Sequence, residues 1–109
     1  MNSNKNLKEV VIIDQDEEFC NKFKTELNQS ENFVCAATAS DGHDGLKKIF
    51  REDPDYVLMD LILPYLDGLS VLDELREENK IEDVNIIVLS SFLNKKMVKI
   101  LQKYEIDYF

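Results

Sequence analysis

Along the chain, short uninterrupted apolar runs alternate with stretches in which apolar residues recur every three or four positions. In Glu9–Ile13 (EVVII) the last four residues are all β-branched, as a strand buried on both faces requires. Asp16 then offers a side-chain oxygen to the first turn of a helix. Phe19, Cys20, Phe23 and Leu27 follow at helical spacing, with Lys22, Lys24 and Glu26 on the other side. Phe33–Ala39 predicts a second strand, broken by Asp41-Gly42. Leu46, Ile49 and Phe50 mark a short helix that stops at Asp53-Pro54, because the residue before a proline is pushed out of the helical region. Tyr56–Met59 predicts a third strand running into Asp60, and Pro64 and Asp67-Gly68 punctuate the loop after it. Leu69, Val71, Leu72 and Leu75 give a third amphipathic helix, with Asp73, Glu74, Arg76, Glu77 and Glu78 toward water. Ile86–Leu89 predicts a fourth strand. Asn94 can cap a last helix carrying Met97, Val98, Leu101 and Tyr104, and Ile106–Phe109 reads as the start of a fifth strand.

This alternation of strand and helix has one economical solution, a parallel sheet with helices on both faces. Helix packing alone would leave the VVII-type runs unexplained. Residues 1–109 read as a single α/β domain, without internal repeat or linker.

Composition narrows the function. The formal net charge is −9, from 13 basic and 22 acidic residues, and an acidic surface repels a phosphate backbone. Nucleic-acid binding by this segment is therefore not expected. The longest apolar run, Phe33–Ala37, is far short of the ~20 residues of a membrane span, and the polar start Met1–Lys8 is no secretory leader. Cys20 and Cys35 form no C-x-x-C pair, which suits a reduced, cytoplasmic setting. His43, the one histidine, reads as an exposed residue in the first turn of a helix. Phe19, Phe23 and Phe50 read as core.

Ligands of open α/β sheets bind beyond the carboxyl ends of the strands, where strand order reverses. Asp14 and Asp16 follow strand one, and Asp60 follows strand three. If those strands are neighbours, the three acids converge, and clustered carboxylates call for a hard cation such as Mg²⁺. Ser90, at the end of strand four, adds a hydroxyl. A carboxylate in such a place can attack phosphorus. For any single acid the plainer roles, helix cap or solvated loop residue, carry more weight; it is the combination that points to phosphoryl chemistry.

The runs VVIIDQDEEF, YVLMDLILPYLDGLSVLDELRE and NIIVLSSF together resemble the receiver domain of two-component response regulators. The specific part is the strand-Asp-x-x-x-Pro-x-x-Asp-Gly pattern at Asp60, Pro64, Asp67 and Gly68, and LPYLDGLSVL is similar to the sporulation-type members of that family. The resemblance covers about Glu9 to Phe109. It implies a flavodoxin-like three-layer fold with strand order 2-1-3-4-5. It implies Asp60 as phosphoacceptor, fed by a histidine kinase or phosphotransfer protein, and sporulation-type transcription control as output. Asp14, Asp60 and the Ile62 carbonyl would hold Mg²⁺, Ser90 would bind the phosphoryl oxygen, and Phe109 would be the switch aromatic. Two departures stand out. Where the family usually has a second acid after strand one, this chain has Gln15, which can coordinate through its amide oxygen but brings no charge. The family's phosphoryl-binding Lys, the rest of strand five and helix five would lie past Phe109. Such an edge is expected to leave strand four and the apolar side of helix one uncovered and to favour self-association.

Two other readings compete. A receiver without phosphorylation could serve as an interaction module, with Leu61, Leu63, Tyr65 and Leu66 as partner surface or as sheet cover. A haloacid-dehalogenase-type phosphatase would use Asp14 and Asp16 as its D-x-D pair, although Glu18 stands where that family expects Thr or Val.

Overall fold

The computed structural model describes residues 6–89 and 95–104, and the backbone of residues 107–108. The chain runs β1 (Lys8–Ile13), α1 (Glu17–Gln29), β2 (Phe33–Ala39), α2 (Gly42–Glu52), β3 (Tyr56–Met59) and α3 (Gly68–Glu77). A 3₁₀ turn (Ile81–Asp83), β4 (Asn85–Val88), α4 (Lys95–Gln102) and β5 (Asp107–Tyr108) follow. The five strands form one sheet in the order β2-β1-β3-β4-β5, and every pair is parallel. This is the doubly wound, flavodoxin-like arrangement, with the order reversing between β1 and β3.

The strands divide the core by alternation. Val11 and Ile13 of β1, Val57 and Met59 of β3, and Ile86 and Val88 of β4 join Ile49, Val71, Leu72, Leu75 and Leu101 in the larger cluster under α2, α3 and α4. Val10 and Ile12 point to the opposite face, where Cys20, Phe19, Phe23 and Leu27 of α1 cover them. Period-two side chains on a sheet buried on both faces produce this split, and so β1 is apolar without interruption. The β1–β2 register slips between Val10 and Val11, where Cys35 and then Ala37 are the partners.

The helix ends are set by side chains. Asp16 caps α1 by accepting from Glu18 and Phe19 N–H, Asp41 caps α2 through Asp44 N–H, and Asp67 caps α3 through Ser70 N–H. Asp53 ends α2 in the left-handed conformation (φ 48°) just before Pro54, and the ion pair of its carboxylate with Lys80 ties that end to the turn after α3.

Two expectations need correction. Phe50 is not core: its ring is 44% exposed on the outer side of α2, because Ile49 takes the inward position. The outer edge of β4 is not bare either, since Ile87 pairs with Asp107 and Val88 with Tyr108. On the α1 face, an apolar groove of about 250 Å³ does run between Phe23, Leu27, Phe33, Tyr56, Leu58 and Ile87. His43 is exposed in the first turn of α2, as expected. Ser90, Asn94, Ile106 and Phe109 lie outside the described residues.

Candidate functional site

The carboxyl ends of the strands are aligned by backbone bonds that continue the ladder one residue further. Asp14 N–H donates to Ala39 O (3.0 Å), Asp60 N–H to Ile13 O (3.0 Å) and Leu89 N–H to Met59 O (2.9 Å). Asp14 and Asp60 thus leave neighbouring strands at one edge, at the point where strand order reverses.

Both carboxylates are half-buried and partly engaged. Asp14 accepts from Asp16 N–H at 2.9 Å, and Asp60 accepts from Ile62 N–H at 3.2 Å. Burial pushes the Asp14 carboxyl above its ordinary range, and the nearby charges of Asp60 and Asp16 add to the rise, against the hydrogen bond from Asp16 N–H. The expected convergence of three acids is reduced to two in practice. Asp16 lies close enough to be felt by Asp14, but one of its oxygens serves the first turn of α1. Among the described residues no group of three His, Cys, Asp or Glu side chains is placed to hold a metal ion. Two carboxylate groups and the Ile62 carbonyl remain as hard oxygen donors, a set that fits a divalent cation of the Mg²⁺ kind.

Gln15 meets that set with its nitrogen. Its Nε2 donates to Ile62 O at 3.3 Å, across 47 positions of sequence, and joins the β1–α1 turn to the β3–α3 loop. Sequence reasoning placed Gln15 at the edge but not this bond, because an amide gives no sign of which end it will use.

The β3–α3 loop is held closely. Leu61 and Leu63 are buried in the core, Leu66 is half-buried, and Ile62 and Tyr65 are exposed, Tyr65 by 86%. Leu66 N–H donates to Pro64 O at 2.7 Å around Tyr65, whose φ is 67°, a three-residue turn in a conformation that β-carbon sterics disfavour. Gly42 N–H reaches the same Pro64 carbonyl at 3.4 Å. A Cβ on Gly42 would stand 1.7 Å from Leu66 O, and one on Gly68 would stand 2.8 Å from Leu61 Cα and 2.9 Å from Asp60 O. These glycines let two helix starts close on the loop that carries Asp60. Asp41-Gly42 signals only a chain break in the sequence, so the role of Gly42 is visible in the fold alone.

Lys48 shares a polar cavity of about 230 Å³ with Asp14, Glu17 and Cys20, but its ammonium is committed to Asp44 Oδ2 (2.8 Å) and Thr38 O (2.7 Å).

A family model described as the response regulator receiver domain matches residues 10–109. The chain belongs to that family. It is 33% identical over 100 residues to the probable C4-dicarboxylate response regulator DctR of Bacillus subtilis (strain 168), a match covering 91% of this chain and 43% of that protein. The chain thus spans less than half the length of this curated relative. Its fold superposes on the signal receiver domain of the response regulator NarL from Mycobacterium tuberculosis with a TM-score of 0.85 at 21% identity, covering 94% of this chain and 82% of that one. It also matches a chain of the CheX–CheY–BeF3–Mg complex of Borrelia burgdorferi, with a TM-score of 0.82 at 20% identity over 99% of this chain and 86% of that one. Receiver domains are signalling modules of two-component systems rather than enzymes, and residues 10–109 form one. The sporulation-type likeness of LPYLDGLSVL finds no counterpart in the name of the curated relative.

Proposed function

We propose that this receiver accepts a phosphoryl group on Asp60 from a phosphohistidine donor, a histidine kinase or phosphotransfer protein, and passes the change to an output. The observation that carries the reading is the placement of the half-buried Asp60 beside Asp14 at the sheet's switch point. A carboxylate oxygen of Asp60 attacks phosphorus as the P–N bond to the donor imidazole breaks. The imidazole nitrogen keeps the bonding pair and takes up a proton, and an acyl phosphate is left on Asp60. Ile62 N–H, 3.2 Å from Asp60 Oδ1, orients the carboxylate. Asp14, Asp60 and the Ile62 carbonyl would hold Mg²⁺, which when bound supplies positive charge against the repulsion between carboxylate and phosphoryl oxygens. Ser90, one residue beyond Leu89, is assigned the phosphoryl-oxygen contact on its sequence position. A protein fed by phosphohistidine donors belongs in the cytoplasm, and no helix among the described residues is long and apolar enough to cross a membrane.

Transcription control of the sporulation type rests on the LPYLDGLSVL likeness alone; the relative named for C4-dicarboxylate response supports an output of another kind. A receiver that docks a partner without phosphorylation is favoured by one observation, the neutral Gln15 bonded to Ile62 O. The phosphatase reading loses support because Asp16, its required acid/base, caps α1.

Incubation with a small acyl-phosphate donor and Mg²⁺ is expected to add the mass of one phosphoryl group, and Asp60→Asn to abolish the addition. Modification that survives in Asp60→Asn would reject Asp60. A wild-type protein that never gains the mass would favour the docking module.

A further inference from the structure

Gln15 is exposed, yet its side chain makes a specific bond to a backbone carbonyl 47 positions away. The identity of the bonded atom follows from chemistry. A carbonyl oxygen only accepts, so the amide must face it with nitrogen. The same Ile62 whose carbonyl is held also donates its N–H to Asp60. One residue therefore connects the amide of Gln15 to the carboxylate of Asp60. The amide N–H stands at the carbonyl as a partial positive charge, where a cation shared with Asp14 and Asp60 would otherwise draw on that oxygen.

We propose that Gln15 is a latch: in the cation-free protein its amide holds the Ile62 carbonyl, and a divalent cation competes with it for the electron density of that oxygen. The latch rests on the reading of Asp14, Asp60 and Ile62 as a cation site, and deepens it by setting the cation and the tie between the two loops in competition. Release frees the β3–α3 loop, with exposed Ile62 and Tyr65, from the β1–α1 turn. A ligand role for Gln15 predicts the opposite response to truncation, since loss of a coordinating oxygen weakens binding while loss of a competitor strengthens it.

The test uses Gln15→Ala and Gln15→Met, the second keeping the length of the side chain without its amide. Calorimetric titration with Mg²⁺ at fixed ionic strength is expected to show tighter binding in both variants by about two- to fivefold, the net worth of one exposed hydrogen bond. In the absence of Mg²⁺, amide exchange of Leu61, Ile62, Leu63, Tyr65 and Leu66 is expected to quicken by about the same factor in both variants. Weaker Mg²⁺ binding in both variants would make Gln15 a ligand and overturn the latch. Unchanged affinity together with unchanged exchange would show that the bond is not held in solution, and also overturn it. Asp60→Asn separates the two levels. If it leaves Mg²⁺ affinity unaltered, the cation site itself is misplaced. If it weakens binding while the Gln15 variants do nothing, the site stands and only the latch falls.

Discussion

Asp14 is a carboxylate placed where its charge is unwelcome. Burial is the main cause, and Asp60 and Asp16 add repulsion, so its carboxyl titrates above the ordinary range in the folded protein. In the unfolded chain it titrates near ~3.9. The native state therefore binds the proton more tightly, and stability falls as pH rises from the unfolded value through the raised native one. Asp14→Asn removes this penalty. Its Tm is expected to exceed that of the wild type at pH 7, with the gap closing as pH falls below about 4; a gap that is constant with pH, read by calorimetry, would mean that the charge of Asp14 is not the cause. Gly42 makes a steric prediction. A methyl group there collides with Leu66 O at 1.7 Å, and backbone on both sides leaves little to yield. Gly42→Ala is expected to cost more than about 3 kcal/mol, at the diagnostic end of single substitutions, and to move the β3–α3 loop. Denaturant unfolding checks the first, and the amide resonances of Leu61, Ile62, Leu63, Tyr65 and Leu66 the second.

The elements were largely legible because their causes are local. Strand β1 announces itself through four β-branched residues in a row, and Asp16 sits one position before the helix it caps, whereas Asp41 and Asp67, legible only as chain breaks, turn out to cap α2 and α3 as well. The placement of Asp14 and Asp60 at one edge was conditional on β1 and β3 being neighbours, an order that only the family resemblance supplied and that the fold has. What was not legible depends on contacts between distant elements. The division of Ile49 inward and Phe50 outward is a matter of helix phase against β1 and β3, and two adjacent apolar residues do not reveal it. The reach of Gln15 to Ile62 and the closure of Gly42 on Leu66 likewise exist only after β1, β3 and α2 meet. Another such tie joins α3 to the end of α4. Tyr104 donates its hydroxyl to Asp73 at 2.6 Å, and the guanidinium of Arg76 lies 4.5 Å from the ring centre. That bond holds the proton on Tyr104 and raises its titration above the ordinary phenol range. Helix α4 is eight residues long against thirteen for α1, so it depends on such ties more than α1 does. Tyr104→Phe is expected to destabilise by about 0.5–1 kcal/mol and to raise amide exchange in α4 before it does so in α1. Uniform change across all helices would assign the effect to the core instead.

At the scale of the molecule, charge dominates what packing does not decide. A net charge of −9 on 109 residues leaves a surplus of acids, and the described residues hold four ion pairs, all at least partly open to water. Exposed pairs of that kind contribute ~0–1 kcal/mol each and weaken as salt rises. The unpaired surplus acts the other way. Glu74, Glu77 and Glu78 crowd the outer face and the end of α3, and Asp14, Asp16, Glu17, Glu18, Asp60 and Asp67 gather around the strand ends. Their repulsion opposes compaction and is screened once the Debye length falls to ~10 Å, near 0.1 M salt. Raising NaCl from 0.02 to 0.2 M is therefore expected to increase Tm by a few degrees, and the gain should depend on ionic strength rather than on the salt chosen. A divalent cation held at the strand ends adds a separate contribution. With ionic strength fixed, Mg²⁺ at a concentration equal to its dissociation constant should add ~0.4 kcal/mol of stability, about 2–3 °C in a domain of this size. Asp60→Asn should remove that increment while leaving the NaCl response intact. If NaCl and Mg²⁺ raise Tm equally at matched ionic strength, in both proteins, the acids at the sheet edge act only as part of the general field.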